Sequence, residues 1–126
     1  MFDFEQLNVY KKSLELNKKV FVFLKENKQI DHFLQNQLKR SSVSIPLNIA
    51  EGVGRFTIPD RRRFYVISRG SAFEVIATLQ IIKNQYPINM EEYDIIRSDV
   101  EEISKMLFGL MKKTTIKTPL ETRTRT

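Results

Sequence analysis

Arg61, Arg62 and Arg63 are consecutive and follow closely on Arg55 and Phe56. Guanidinium groups pair bidentately with phosphate and stack on bases, and a neighbouring ring adds a stacking platform. Nucleic-acid binding is therefore the chemistry open to this cluster. The same residues would also serve as a solvated helix start, or as ion-pair partners for an acidic helix of the same or another subunit. The surrounding charge is uneven. Residues 39–69 carry seven basic side chains against Glu51 and Asp60, whereas residues 91–105 carry six acidic ones against Arg97 and Lys105. A second basic group, Lys112, Lys113, Lys117, Arg123 and Arg125, is opposed only by Glu121. One end of the molecule is expected to be basic and another acidic.

Other constellations are weak. Cysteine is absent, which excludes disulfides, thiolate metal sites and a thiol nucleophile. The single histidine, His32, stands beside Asp31, and there is no Glu-x-x-His, so neither a di-metal bundle site nor any other metal site is expected. "EGVGR" has Gly-x-Gly but neither a third glycine nor a Gly-Lys-Ser/Thr ending, and it signals no nucleotide fold. No cofactor is expected. A general acid or base needs a proton-transfer partner and a cleft, and no stretch announces either, so the reading is non-enzymatic.

The elements that must hold these residues are helical. Leu7, Tyr10, Leu14, Phe21 and Leu24 recur at helical steps from about Glu5 to Glu26, interrupted only at Asn17. Val9, Leu16, Val20 and Phe23 form a second stripe beside them. Together the two stripes cover about 200°, wider than the ~100° that faces one core, so part of this helix is expected to be covered from outside its own bundle. Asp31 can cap a second helix through Phe33, Leu34, Leu38, Ile45 and Ile49 to about Gly54. Thr57 with Pro59 opens a third, from Arg61 to Asn84, burying Phe64, Ile67, Val75, Leu79 and Ile82. Gly70 within it suits a close helix approach. Asn89 and Glu92 start a fourth as a capping box, with Tyr93, Ile96, Val100, Ile103, Leu107 and Leu110 on one face. Four helices with short polar loops predict an all-α, antiparallel, up-and-down four-helix bundle over residues 1–113, followed by a basic, disordered tail, 114–126.

Within the second helix, Gln37, Ser41, Ser44, Asn48, Glu51, Gly52 and Arg55 share an arc of about 100°. Pro46 interrupts the same stretch. It deletes the N–H that would reach the Ser42 carbonyl, at a cost of ~3 kcal/mol in a regular helix, and a kink is expected. Asn48 and Glu51 serve either to satisfy helix carbonyls and a neighbouring arginine, holding register, or to bind a partner or nucleotide.

At 126 residues the chain has room for one core, and its 41% apolar and 29% charged content is ordinary for a soluble domain. The opening MFDFEQLNVYKK lacks the features of a signal peptide, and Val20 to Leu24 is far too short to cross a bilayer. A soluble, cytoplasmic protein with no membrane partner is expected.

The segments QLKRSSVSIPLNIAEGVGRF and RRFYVISRGSAFE resemble those of the four helix bundle protein family, also described as intervening-sequence proteins encoded within large-subunit ribosomal RNA genes. The resemblance spans about residues 4–111 and rests on Ser44, Ile45, Pro46, Asn48, Ile49, Ala50, Glu51, Gly52 and Arg55, followed by Phe64, Gly70, Ser71 and Glu74. It implies an up-and-down bundle assembling into a homopentameric ring. The family includes relatives of the accessory variability determinant of diversity-generating retroelements, which implies nucleic acid and a reverse transcriptase or another protein as partners. Asn48, Glu51, Arg55, Ser71 and Glu74 match its polar positions, which it does not label catalytic. Ser68 departs from an expected Ala. The resulting expectation is an oligomeric scaffold binding RNA or DNA through Arg55, Arg61, Arg62, Arg63 and the basic residues from Lys112 onward. The alternative is a protein-interaction adaptor without a nucleic-acid role.

Overall fold

The computed structural model describes residues 2–114. A 3₁₀ turn, Asp3–Gln6, precedes α1 (Asn8–Glu26), α2 (His32–Val53), α3 (Ile58–Gln85) and α4 (Met90–Lys113). The expected caps are present: the Asp31 carboxylate accepts from Phe33 N–H at 2.8 Å, Thr57 Oγ1 from Asp60 N–H at 3.3 Å, and Asn89 Oδ1 from Glu92 N–H at 3.0 Å. Each satisfies a backbone donor that the first helical turn leaves open. The Glu92 side chain lies beside that of Glu26 of α1.

Helices adjacent in sequence pack together, and α1 closes against α4. Along α1–α4, Lys12 meets Glu102, Lys19 meets Asp99 and Glu26 meets Glu92. Along α3–α4, Arg69 reaches Ser104 and Lys83 lies over Tyr93. In each series one number rises as the other falls, so neighbouring helices run antiparallel. The α2–α3 turn and the end of α4 therefore share one end of the bundle. No helix among the described residues is long and apolar enough to cross a membrane.

The core takes one stripe from each helix, with Leu16, Val20, Phe23, Leu38, Ile45, Ile49, Val75, Leu79, Ile82, Ile96, Val100, Ile103 and Leu107 all buried. Burying each such side chain contributes ~1.5–3 kcal/mol. The α4 stripe is the one the spacing predicts. In α1 the second stripe faces the core, while Leu14 and Phe21 of the first are 42% and 43% exposed. In α2, Phe33 is 69% exposed, and in α3 Ile67 points outward while Tyr65, Ser68 and Ala72 carry the buried face. In α1 and α3 the cause is common: two apolar stripes lie side by side on the wheel, and polar Ser13 and Ser68 mark the buried one. Hydrophobicity alone chooses the wrong neighbour there.

The proline in α2 has a partner in α1. α2 continues through Pro46, and the Ser42 carbonyl, which would otherwise accept from residue 46, receives Asn17 Nδ2 at 2.7 Å. The one polar interruption of the first stripe thus supplies the hydrogen bond that the proline removes. Close helix approach occurs at Gly52 rather than at Gly70. A Cβ on Gly52 would stand 2.7 Å from Tyr65 Cε1 and 3.1 Å from the Arg61 carbonyl oxygen, whereas one on Gly70 would meet open space.

Candidate nucleic-acid interface

The polar arc of α2 is consumed largely by the α2–α3 seam. Asn48 Nδ2 donates to the Ser44 carbonyl at 2.8 Å and to Ser44 Oγ at 2.9 Å. Ser44 Oγ and Ser71 Oγ are 2.7 Å apart, and Ser71 donates to the Ile67 carbonyl at 3.2 Å. Satisfying every group gives one direction: Asn48 donates to Ser44, Ser44 to Ser71, and Ser71 to Ile67. Ser68, fully buried, donates to the Ile45 carbonyl at 2.9 Å, so the serine found where the resemblance implies alanine ties the same two helices. Glu51 binds Arg55 Nη2 at 2.9 Å, one helical turn away. Of these contacts, those of Ser44 with Ser71 and of Ser68 with Ile45 join α2 to α3, whereas those of Asn48 and Glu51 stay within one segment. Glu74 is exposed and makes no hydrogen bond or ion pair among the described residues.

The structure separates the three consecutive arginines, because successive side chains on a helix diverge by ~100°. Arg61 Nε turns back to the Arg55 carbonyl at 2.7 Å, tying the α2–α3 turn to the start of α3. Arg63 lies 4.0 Å from Asp60 and 5.0 Å from the Phe64 ring centre, which Arg55 also approaches, at 4.5 Å. Phe64, expected in the core, is therefore a half-buried ring holding two guanidinium groups. Arg62 is exposed and has no partner among the described residues, and Phe56 is 100% exposed at the turn. Burial raises the Tyr65 hydroxyl pKa, partly offset by the Arg61 charge.

Lys112 and Lys113, in the last turn of α4, reach the same end of the bundle as Arg55 and Arg61–Arg63. Two basic groups far apart in sequence are thereby gathered. Lys117, Arg123 and Arg125 lie outside the described residues. The acidic half of α4 sits toward the opposite end. There Glu92 is raised above the ordinary carboxyl range, first by burial, then by its hydrogen bond with Glu26 and by repulsion from Glu26 and Glu91. It borders a 340 Å³ groove with Lys18, Lys19, Val22, Ile95 and Ile96.

Sequence reasoning passed over Arg69, Phe73 and Phe108. Arg69 lies 4.8 Å from the Phe73 ring centre and 5.2 Å from that of Phe108, and Lys112 stands 4.8 Å over Phe108. Arg69 Nε donates to the Ser104 carbonyl at 3.3 Å. The signal was available in the four-residue steps from Arg69 to Phe73 and from Phe108 to Lys112, but the pairing across helices was not. Among the described residues no group of His, Cys, Asp and Glu is placed to hold a metal ion.

Fold and surface define a four-helix bundle protein with one cation-rich end carrying exposed rings. The chain belongs to the 23S rRNA-intervening sequence protein family, whose model matches residues 5–109. A crystal structure of a protein of unknown function from the S23 ribosomal protein family of Bacteroides thetaiotaomicron is similar, with a TM-score of 0.75 and 28% identity. That likeness covers 82% of this chain and 98% of the other. Among curated proteins none matches.

Proposed function

We propose that this protein is a non-enzymatic, cytoplasmic scaffold that assembles as a homopentameric ring and binds RNA or DNA through its basic end. The observation that carries the reading is the meeting of Arg55, Arg61, Arg62 and Arg63 with Lys112 and Lys113 at one end of the bundle. The family's connection with ribosomal RNA intervening sequences supports a nucleic-acid partner. Assembly is supported by apolar side chains that the single chain leaves uncovered on α1, Leu14, Phe21 and Val22, and on α3, Ile67 and Ile81. Gly70 and Glu74, both exposed on α3, match the family pattern without a use inside one chain. A ring would repeat each weak phosphate site around one rim, and effective concentration then strengthens binding without new contacts.

Binding of a labelled RNA at several salt concentrations tests the proposal. If five phosphates are neutralised, log K falls with log salt at a slope of roughly −3.5 for a single strand. Absence of binding at low ionic strength overturns it. The second reading is a protein-interaction adaptor, for a reverse transcriptase or another protein, favoured by the ion pairs that already engage Arg55 and Arg63. Reversing the charges of Arg61, Arg62 and Arg63 separates the two. An intact oligomer that no longer retains nucleic acid supports the scaffold, and loss of the oligomer supports a role in assembly.

A further inference from the structure

We infer that the outer α3–α4 face running from the basic end toward the middle of the bundle is a stacking track for unpaired bases, so that the ligand is single-stranded nucleic acid and Phe73 and Phe108 contact it directly. The inference rests on the nucleic-acid reading above and adds residues that reading does not use.

Four α3 positions, Arg62, Val66, Arg69 and Phe73, are three or four residues apart and so share one face. From Arg62 to Phe73 the helix rises about 16 Å. Phe108 and Lys112, one turn apart on α4, meet that face through Arg69. On the resulting surface Arg62, without a partner among the described residues, is followed past Val66 by Arg69, which lies against both Phe73 and Phe108, and Lys112 stands over Phe108. Both rings stay open to solvent, at 53% and 44% exposure.

Charge selects the occupant. Residues 61–73 and 103–113 contain no Asp or Glu, while they contain Arg61, Arg62, Arg63, Arg69, Lys105, Lys112 and Lys113. An acidic peptide would satisfy the cations but has no need of the rings. A duplex would satisfy the cations too, yet its bases are stacked on one another and offer their faces to nothing outside the helix. A single strand uses both features, placing phosphates on the cations and exposed bases on the rings and guanidinium planes. The existing cation–ring contacts hold the track in place before binding: Arg69 is anchored by Nε on the Ser104 carbonyl, which leaves its outer nitrogens for phosphate.

The test compares a labelled oligouridylate with an RNA duplex of equal length, using fluorescence anisotropy on the full chain. Wild type is expected to favour the single strand. The Phe73→Ala and Phe108→Ala variants should each weaken that binding roughly tenfold while leaving the salt slope unchanged. Phe108→Leu keeps the apolar bulk against Arg69 and Lys112 and should show the same loss, which separates stacking from damage to the fold. The chain has no tryptophan, so Phe108→Trp supplies a lone reporter whose emission oligouridylate should quench and duplex should not. Salt-dependent binding with wild-type affinity in the Phe→Ala variants, or an unquenched reporter, overturns the track and leaves the basic-end reading standing. No binding by wild type at low salt overturns both.

Discussion

Along the α2–α3 seam the polar atoms are neutral, half-buried or buried, and joined in a chain from Asn48 through Ser44 and Ser71 to Ile67. Along α1–α4 they are charged and closer to water: Lys12 and Lys19 share Asp99, and Lys12 also reaches Glu102. The first seam brings the backbones together through small residues, Gly52 against Tyr65 above all. The second spans its distance with long side chains. Short neutral bonds fix one register, because a slip of one turn breaks the two that cross the seam, Ser44 to Ser71 and Ser68 to the Ile45 carbonyl. Long ion pairs tolerate adjustment and are weak where solvent reaches them.

The largest effect expected from disturbing this contrast lies where α1 meets α2. Asn17→Ala leaves the Ser42 carbonyl without its donor and should cost ~1–3 kcal/mol in denaturant unfolding. In a Pro46→Ala background, where residue 46 again donates to Ser42, the same change should cost less than half as much, and a double-mutant cycle reads the coupling. Equal costs in the two backgrounds would show that Asn17 does not answer the proline.

Gly52→Ala comes next. Overpacking against Tyr65 costs ~1–3 kcal/mol, offset by ~1 kcal/mol of helix propensity, so a net loss of up to ~2 kcal/mol is expected. Gly70→Ala, which faces open space within one chain, should instead gain up to ~1 kcal/mol in the dissociated subunit, and shifts of opposite sign in its denaturation midpoint would confirm which glycine sits at a close approach inside the bundle. Asp99→Asn removes the shared partner of Lys12 and Lys19 and should cost at most ~1 kcal/mol, shrinking further in high salt. A loss that salt does not touch would place Asp99 with the buried seam.

The smallest effect concerns Glu92. Its folded-state pKa is raised, so between the unfolded and folded values the native state holds the extra proton and stability falls as pH rises through that window. Glu92→Gln abolishes this dependence. The variant should gain on wild type as pH climbs from the acid side toward neutrality, measured as the difference in denaturation midpoint.

Much of this was legible in the sequence. Helix number, the caps at Asp31, Thr57 and Asn89, and the α4 stripe follow from local spacing, which a helix translates directly into a face. What escaped was relational. Leu14 and Leu16 are equally apolar, and only packing decides that Leu16 is buried. Gly70 and Gly52 are both mid-sequence glycines, and only the position of Tyr65 distinguishes them. The arginine run was visible as charge, but its division among a carbonyl, a ring and open solvent depends on helical phase and on what stands opposite. Arg69 looked like one basic residue among several until Phe108, thirty-nine positions on, was brought to it.

The bond from Asn17 to the Ser42 carbonyl also constrains how the sequence can change. Replacing the proline first gives residue 46 its N–H back and frees position 17 to vary afterwards. Replacing the asparagine first crosses a less stable intermediate. The two substitutions therefore have a preferred order, and a lineage that still carries the proline is held to an asparagine, or to another short donor, on the helix that faces it.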